Sequence, residues 1–279
     1  MNICIPTLKE KAYNLRKTTL EITASAQAGR IASSYSCAEI LTALYYTGIM
    51  RFDPKDPVSA ARDRFIMSKS HASPILYAIL ADCGFFDKSE LDKYAKPDGI
   101  LGTLLDENVP GAEILGGSLG CGFGIAAGMA FALKRERSRS MVFTLLGDGE
   151  CGEGSIWETA MFVGFQRLNN LITLIDRNHI SASAFIQDDF GNEPFADKWR
   201  AFGFNVVTID GHSFVELLET LKDVRSRRSA SPTVVICETV KGKGIDFVEN
   251  EPFWHSKAVT QDQLEAARKS LTLLNRGDE

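Results

Sequence analysis

No two of the six cysteines form a C-x-x-C pair, and no spacing among Cys4, Cys37, Cys83, Cys121, Cys151 and Cys237 suits a metal ion. A zinc ribbon and a thioredoxin-like redox motif are thereby excluded, and reduced thiols in a cytoplasm are the simplest account. Long apolar runs are also missing. None reaches membrane-spanning length, and residues 1–6 are too short an apolar stretch for a signal peptide. Nor is there an excess of positive charge. The net charge of −5 removes the electrostatic case for nucleic acid, and the basic run at 134–139 is short and interrupted by Glu136 and Ser138. It reads as the solvated end of a helix, where cations suit the macrodipole. There is no internal repeat, low-complexity tract or linker. No Gly-x-Gly-x-x-Gly follows a strand with an acidic residue about twenty positions on, which counts against a dinucleotide site.

What is present is enough apolar material, 44% of 279 residues, for one large α/β domain spanning 1–279. Apolar runs at 141–146 and 170–178 read as buried strands. Between them, residues 153–168 have helical periodicity, with Ile156, Ala160, Val163 and Leu168 on one face. Further strands are expected at 64–68, 204–210 and 233–240. Helices are expected at 7–28, 37–46 (capped by Ser36), 75–82 (opened by Pro74 and closed by Gly84), 123–132, 193–202, 213–225 (capped by Ser213) and 262–274. The small-residue helix at 123–132 suits close packing in a core or across a subunit interface. Strands alternating with helices predict a mostly parallel sheet covered on both faces.

The most informative feature is Gly147-Asp148-Gly149-Glu150 at the end of one strand, with Asn178 at the end of the next. In a strand-helix-strand unit the two C-terminal tips lie side by side, where open α/β sheets bind ligands. A lone Gly-Asp-Gly is more commonly a turn. A carboxylate facing a neutral amide oxygen, however, is a hard-oxygen set that suits Mg²⁺, which completes its shell from a phosphate. A helix opening near Gly152 would aim free N–H groups at that phosphate.

Several motifs occur in order: Asp63-Arg-Phe-Ile-Met-Ser-Lys-Ser-His71, Gly117-Ser118-Leu119-Gly120, Leu146-Gly-Asp-Gly-Glu150, Glu153-Gly-Ser-Ile-Trp-Glu158, Asp176-Arg-Asn178, Ala196-Asp-Lys-Trp-Arg-Ala-Phe-Gly203, Asp210-Gly-His212 and Thr239-Val-Lys-Gly-Lys-Gly244. From about Lys9 to His255 the chain resembles the N-terminal half of transketolase, above all the form split into a separate N-terminal subunit. The resemblance implies a three-layer thiamine-diphosphate-binding fold and a thiamine diphosphate cofactor held through Mg²⁺ or Ca²⁺. It implies Asp148 and Asn178 as side-chain metal ligands and Ile180 as a backbone-carbonyl ligand. Around the diphosphate it places Gly147, Gly149 (through its N–H) and Glu150, with His71 and His255 reaching phosphate oxygens. Gly117, Ser118 and Leu119 fall beside the aminopyrimidine and thiazolium. Glu153 matches a glutamate at the subunit interface that links paired active sites. His71, His255 and Glu153 are thus the catalytic candidates of this chain, while His179, His212, Trp157 and Trp199 read as structural.

The resemblance also implies what the chain lacks. The glutamate that hydrogen-bonds the aminopyrimidine N1′ belongs to a following pyrimidine-binding domain, and this sequence ends at Glu279. The expected partner is therefore a C-terminal, pyrimidine-binding subunit in an α₂β₂ assembly, acting on small carbonyl substrates. The expected reaction transfers a two-carbon ketol or related acyl-anion unit to an aldehyde. Two family histidines that face donor hydroxyls are missing: Arg30 stands at one position, and the loop at 99–106 contains none. Cys121 stands where glutamine is usual. A site that has lost such groups discriminates differently, which admits a 2-oxo acid donor such as pyruvate. The planar fork of Arg30 suits a carboxylate or phosphate. A non-catalytic binding subunit is the remaining alternative.

Overall fold

Short runs rich in Val, Ile, Leu and Phe pair side by side, the central ones buried on both faces and the edge run at 205–210 largely exposed. In this computed structural model, which describes residues 4–182, 184–226 and 229–277, they form one parallel sheet. Residues 1–3 of the amino-terminal stretch and the terminal Glu279 lie outside the described residues. The strands are β1 (Arg64–Met67), β2 (Val142–Gly147), β3 (Leu171–Arg177), β4 (Asn205–Asp210) and β5 (Thr233–Glu238), in the spatial order β1-β2-β3-β5-β4. The helices are α1 (Ile5–Ser25), α2 (Ile31–Tyr35), α3 (Ala38–Tyr46), α4 (Ser73–Cys83), α5 (Cys121–Arg135), α6 (Gly154–Phe165), α7 (Ile186–Asp189), α8 (Phe195–Ala201), α9 (Phe214–Ser226) and α10 (Gln261–Gly277).

Alternation along the strands sorts side chains between two cores. Phe143, Leu145, Ile172, Leu174, Val235 and Cys237 join α1, α3, α4 and α9 on one face. Val142, Leu146, Leu171, Ile175, Val234 and Ile236 meet α5, α6 and α8 on the other. A third cluster ties α1 and α2 to α10 through Leu20, Ile31, Tyr35, Trp254 and Leu271. The expected α/β layering with helices on both faces is what forms, and the apolar continuity of β2 and β3 reflects burial on both sides.

Local signals held where they were backbone-driven. Gly84 closes α4 at φ 89°, and the Ser213 hydroxyl accepts from Glu216 N–H at 3.3 Å at the start of α9. Ser36 departs from its expected role as the cap of α3. Cys37 holds that position, and the Ser36 hydroxyl donates to Asp176 Oδ2 at 2.5 Å. A buried carboxylate from a distant strand outcompetes the local cap. The helix expected from Glu193 starts only at Phe195, after Pro194.

Candidate functional site

Because the five strands are parallel, their C-terminal ends share one edge. The sheet runs β1-β2-β3 in chain order, and β4 is then laid outside β5, so the chain turns back only between β4 and β5. Ligands of open α/β sheets bind at this carboxyl-terminal edge of the strands. Gly147 of β2 is in register with Asp176 of β3, which sets Asp148 beside the loop carrying Asn178 and Ile180. The turn Ser70–Ala72 after β1 brings Lys69 and His71, and the segment after β5 brings Lys241. The turn Pro252–His255 adds His255. Apart from Asp176, all of these line one cavity of about 390 Å³.

The Asp148 carboxylate is buried. It accepts from Gly149 N–H at 2.8 Å and from His179 N–H at 2.5 Å, and makes no ion pair among the described residues. Burial, aided by the nearby charge of Asp176, pushes its carboxyl up to about 6. A buried carboxylate with no cation is costly, and a divalent ion would supply the missing partner. Asn178 Oδ1 accepts only a long 3.3 Å bond from Ile180 N–H, and the Ile180 carbonyl accepts from Lys241 Nζ at 3.3 Å. Among the described residues no three His, Cys, Asp or Glu side chains cluster closely enough to hold a metal. An ion here would therefore rest on Asp148, Asn178, the Ile180 carbonyl and ligand oxygens, a set that fits Mg²⁺.

Cationic and imidazole groups face these oxygens. The rings of His71 and His255 meet edge to face at 4.8 Å. Burial, reinforced by neighbouring cations, lowers His71 to about 4 and His255 to about 3, so both are neutral near pH 7 and each has one N–H to donate. Lys241 Nζ donates to Ser181 O at 2.6 Å and lies 3.4 Å from His255 Nδ1. With the ammonium as donor, the His255 proton sits on Nε2. Burial brings the Lys241 ammonium down to about 8. Lys69 pairs with Asp176, and also donates to Ser33 O at 3.2 Å. Burial opposes the charge on Asp176, but Lys69 and the hydroxyls of Ser36 and Thr239 hold its carboxyl below the usual range.

The cavity gathers His71, Leu119, Gly147, Asp148, Gly149, Glu150, Glu153, Asn178, Ile180 and His255 of the sequence-derived set, while Gly117 and Ser118 lie in the loop that leads to it. The Gly149 N–H is directed at Asp148 Oδ1, and a Cβ on this glycine would sit 3.1 Å from Ser181 Cα. Glu150, though on the wall, uses its oxygens internally: Oε1 accepts from Ser68 Oγ (2.5 Å) and Gly120 N–H (2.9 Å), and Oε2 from Gly147 N–H (3.0 Å). It clasps the loops together. Glu153 is exposed just before α6. His179, at φ 62°, supplies its backbone N–H to Asp148 and its ring to Glu238 at 2.8 Å. Trp199 is core, and Trp157 packs against it with centroids 5.1 Å apart.

Sequence reasoning assigned no role to Ser33, Lys69, Asp176, Thr239 or Lys241. One signal was available: Asp176 interrupts an apolar strand, and a charge there demands a buried partner.

The fold defines an open parallel α/β protein with its cavity at the C-terminal edge of the sheet. Residues 8–276 match the family described as transketolase, thiamine diphosphate binding domain, and the chain belongs to that family. The 6-deoxy-6-sulfo-D-fructose transketolase subunit SqwG of Clostridium sp. (strain MSTE9) is 38% identical, covering 93% of this chain and 94% of its own length. An apulose-4-phosphate transketolase subunit of Phocaeicola vulgatus is 35% identical over 96% of this chain and 95% of its own. The solved transketolase from Campylobacter jejuni matches with a TM-score of 0.90 at 27% identity, over 97% of this chain but only 43% of that one. The chain thus spans under half of that transketolase and nearly all of the relatives named as subunits.

Proposed function

We propose that this chain is a single-domain, diphosphate-binding subunit of a heteromeric thiamine-diphosphate enzyme. The enzyme transfers a two-carbon ketol, or a related acyl-anion unit, from a carbonyl donor to an aldehyde acceptor. The observation that carries this reading is the convergence of Asp148, Asn178 and the Ile180 carbonyl at adjacent strand tips, facing two neutral imidazoles across one cavity.

When bound, thiamine diphosphate supplies a nucleophilic carbon and an electron sink. The chain's own part is to hold and orient. Asp148, Asn178 and the Ile180 carbonyl hold Mg²⁺, or Ca²⁺ in its place, while His71 and His255 donate N–H groups to phosphate oxygens. Lys241 and Lys69 offset anionic charge, and Glu150 fixes the loops through Ser68, Gly120 and Gly147. Leu119, with Gly117 and Ser118 behind it, shapes the wall beside the cofactor rings.

A partner subunit is supported by the exposed apolar surface of α5 and α6. Met161, Phe162 and Phe165 on α6 and Ile125 on α5 are exposed, Phe165 to 82%. Apolar residues grouped in this way mark interaction surfaces, and Glu153 stands at their cavity end. We assign the partner the pyrimidine-binding fold and the catalytic glutamate, in an α₂β₂ assembly. A cytoplasmic setting accords with six free cysteines. Among the described residues no helix is long and apolar enough to cross a membrane.

Calorimetric titration of the chain plus its partner with thiamine diphosphate tests the proposal. Binding should require Mg²⁺ and be lost in Asp148→Ala and Asn178→Ala. Unchanged affinity in both variants would refute the metal assignment, and absence of binding by the native complex would favour a non-catalytic subunit.

A further inference from the structure

We propose that Arg30 forms an anion subsite that binds the oxyanionic group of a small substrate, and so sets which donor the enzyme accepts. The inference rests on the functional reading above and names a substrate class for it.

The cations at this edge are not equivalent. Lys69 is committed to Asp176, and Lys241 spends its protons on the Ser181 and Ile180 carbonyls. The Arg30 guanidinium, half-buried, makes no ion pair or hydrogen bond among the described residues. Its N–H donors are uncommitted, and an incoming anion would take them up.

Its mounting is rigid and strained. Arg30 adopts φ 99°, ψ 6°, a left-handed conformation that is strained for a non-glycine residue and persists only where surroundings impose it. The imposing contact is next door: a Cβ on Gly29 would fall 2.1 Å from the Ser256 carbonyl oxygen, so the chain is pinned against the residue after His255. From there α2 carries Ser33 onto the cavity wall one turn later. Because Gly29 packs on the residue after His255, Arg30 lies on the imidazole side of the cavity, within electrostatic reach of His71, His255 and the buried Tyr94 phenol. The Tyr94 hydroxyl is itself buried without a hydrogen-bond partner. A planar guanidinium fixed in this position matches a carboxylate or phosphate in two-pronged fashion.

The complex with its partner subunit is titrated with oxamate, an unreactive 2-oxo-acid mimic, with its uncharged analogue oxamide, and with inorganic phosphate. Oxamate or phosphate should bind roughly 10- to 100-fold more tightly than oxamide, and the tighter of the two identifies the group as carboxylate or phosphate. Arg30→Gln should erase the preference, and Arg30→Lys should keep part of it. A preference that survives Arg30→Gln overturns the proposal. So does a fall in thiamine-diphosphate affinity in Arg30→Gln as large as the fall for the anion, because Arg30 would then serve the cofactor. If the native complex does not bind thiamine diphosphate, the functional reading falls, while the ratio of anion to oxamide still decides the subsite.

Discussion

Replacing Glu39 with glutamine removes one charge from a network that braces the cavity from behind. Arg16, 2% exposed, donates Nη1 to Glu39 Oε1 at 2.5 Å and Nη2 to Oε2 at 2.7 Å, and also reaches the Tyr35 carbonyl at 2.9 Å. His212 Nδ1 lies 2.8 Å from Glu39 Oε2, and its Nε2 accepts from Val240 N–H at 2.9 Å. With Nε2 accepting, the ring proton sits on Nδ1 and is donated to Glu39. The network therefore ends one residue before Lys241. Glutamine preserves the shape but leaves the buried guanidinium without a counter-charge, at a cost of about 3–5 kcal/mol. At roughly 2 °C per kcal/mol for a chain this long, the thermal midpoint should fall by about 6–10 °C. Urea unfolding followed by tryptophan fluorescence measures the difference at pH 7.

The same substitution carries a pH signature. Burial opposes ionisation of Glu39, but the Arg16 guanidinium and the His212 hydrogen bond hold its carboxyl far below the usual range. A depressed carboxyl contributes stability above its unfolded value, about 4.3, and loses it as the pH falls further. The gap between native and Glu39→Gln chains should thus narrow below about pH 4. The pair Arg16→Met with Glu39→Leu should cost less than Glu39→Gln alone, because no bare charge remains. A gap under about 1 kcal/mol at pH 7, or one that stays constant in acid, would refute the reasoning.

Other consequences are simpler. A Cβ on Gly122 would lie 2.6 Å from Ser68 Oγ and 2.8 Å from Ser68 Cα. Gly122→Ala should therefore push Ser68 off Glu150 and cost about 1–3 kcal/mol in a denaturation experiment. Phe165→Lys, on the exposed face of α6, should leave the stability of the chain within about 0.5 kcal/mol and yet abolish co-elution with the partner in size-exclusion chromatography. Removing divalent ions with EDTA should abolish calorimetric binding of thiamine diphosphate, and added Mg²⁺ should restore it.

The parts of this molecule that could be read in advance are those whose cause is local or periodic. The runs in β2 and β3 announce strands buried on both sides, and the polar residues that end them, Asp148 and Asn178, announce the tips. The helix α2 could not be read, because five residues are too few to display a period and its start at Arg30 depends on Ser256, far along the chain. Ser36 misled for the same reason: its hydroxyl answers to Asp176, 140 positions away, rather than to the helix beside it. Lys69 and Lys241 lay inside motifs already noticed. Their roles depend on which carboxylates and carbonyls the sheet brings near, and only the strand order decides that.

Strand order also explains the charge pattern at the cavity. Buried charges at this edge are mostly cancelled within the protein: Asp176 by Lys69, and Glu150 by two backbone N–H groups and a serine hydroxyl. Three groups have no counter-charge among the described residues: Asp148, Arg30 and Lys241, the last held by the Ser181 and Ile180 carbonyls. Asp148 lacks a cation and Arg30 lacks an anion, and they do not pair with each other. Each stays apart because its backbone is fixed independently, Asp148 by the register of β2 with β3 and Arg30 by the contact of Gly29 with Ser256. Asp148 would be answered by a divalent ion that it would help to hold, and Arg30 by a separate oxyanion on the substrate. Separation of Asp148 from Arg30 thus accords with the proposal of two ligands, a cation-held diphosphate at the strand tips and a substrate acid beside Arg30.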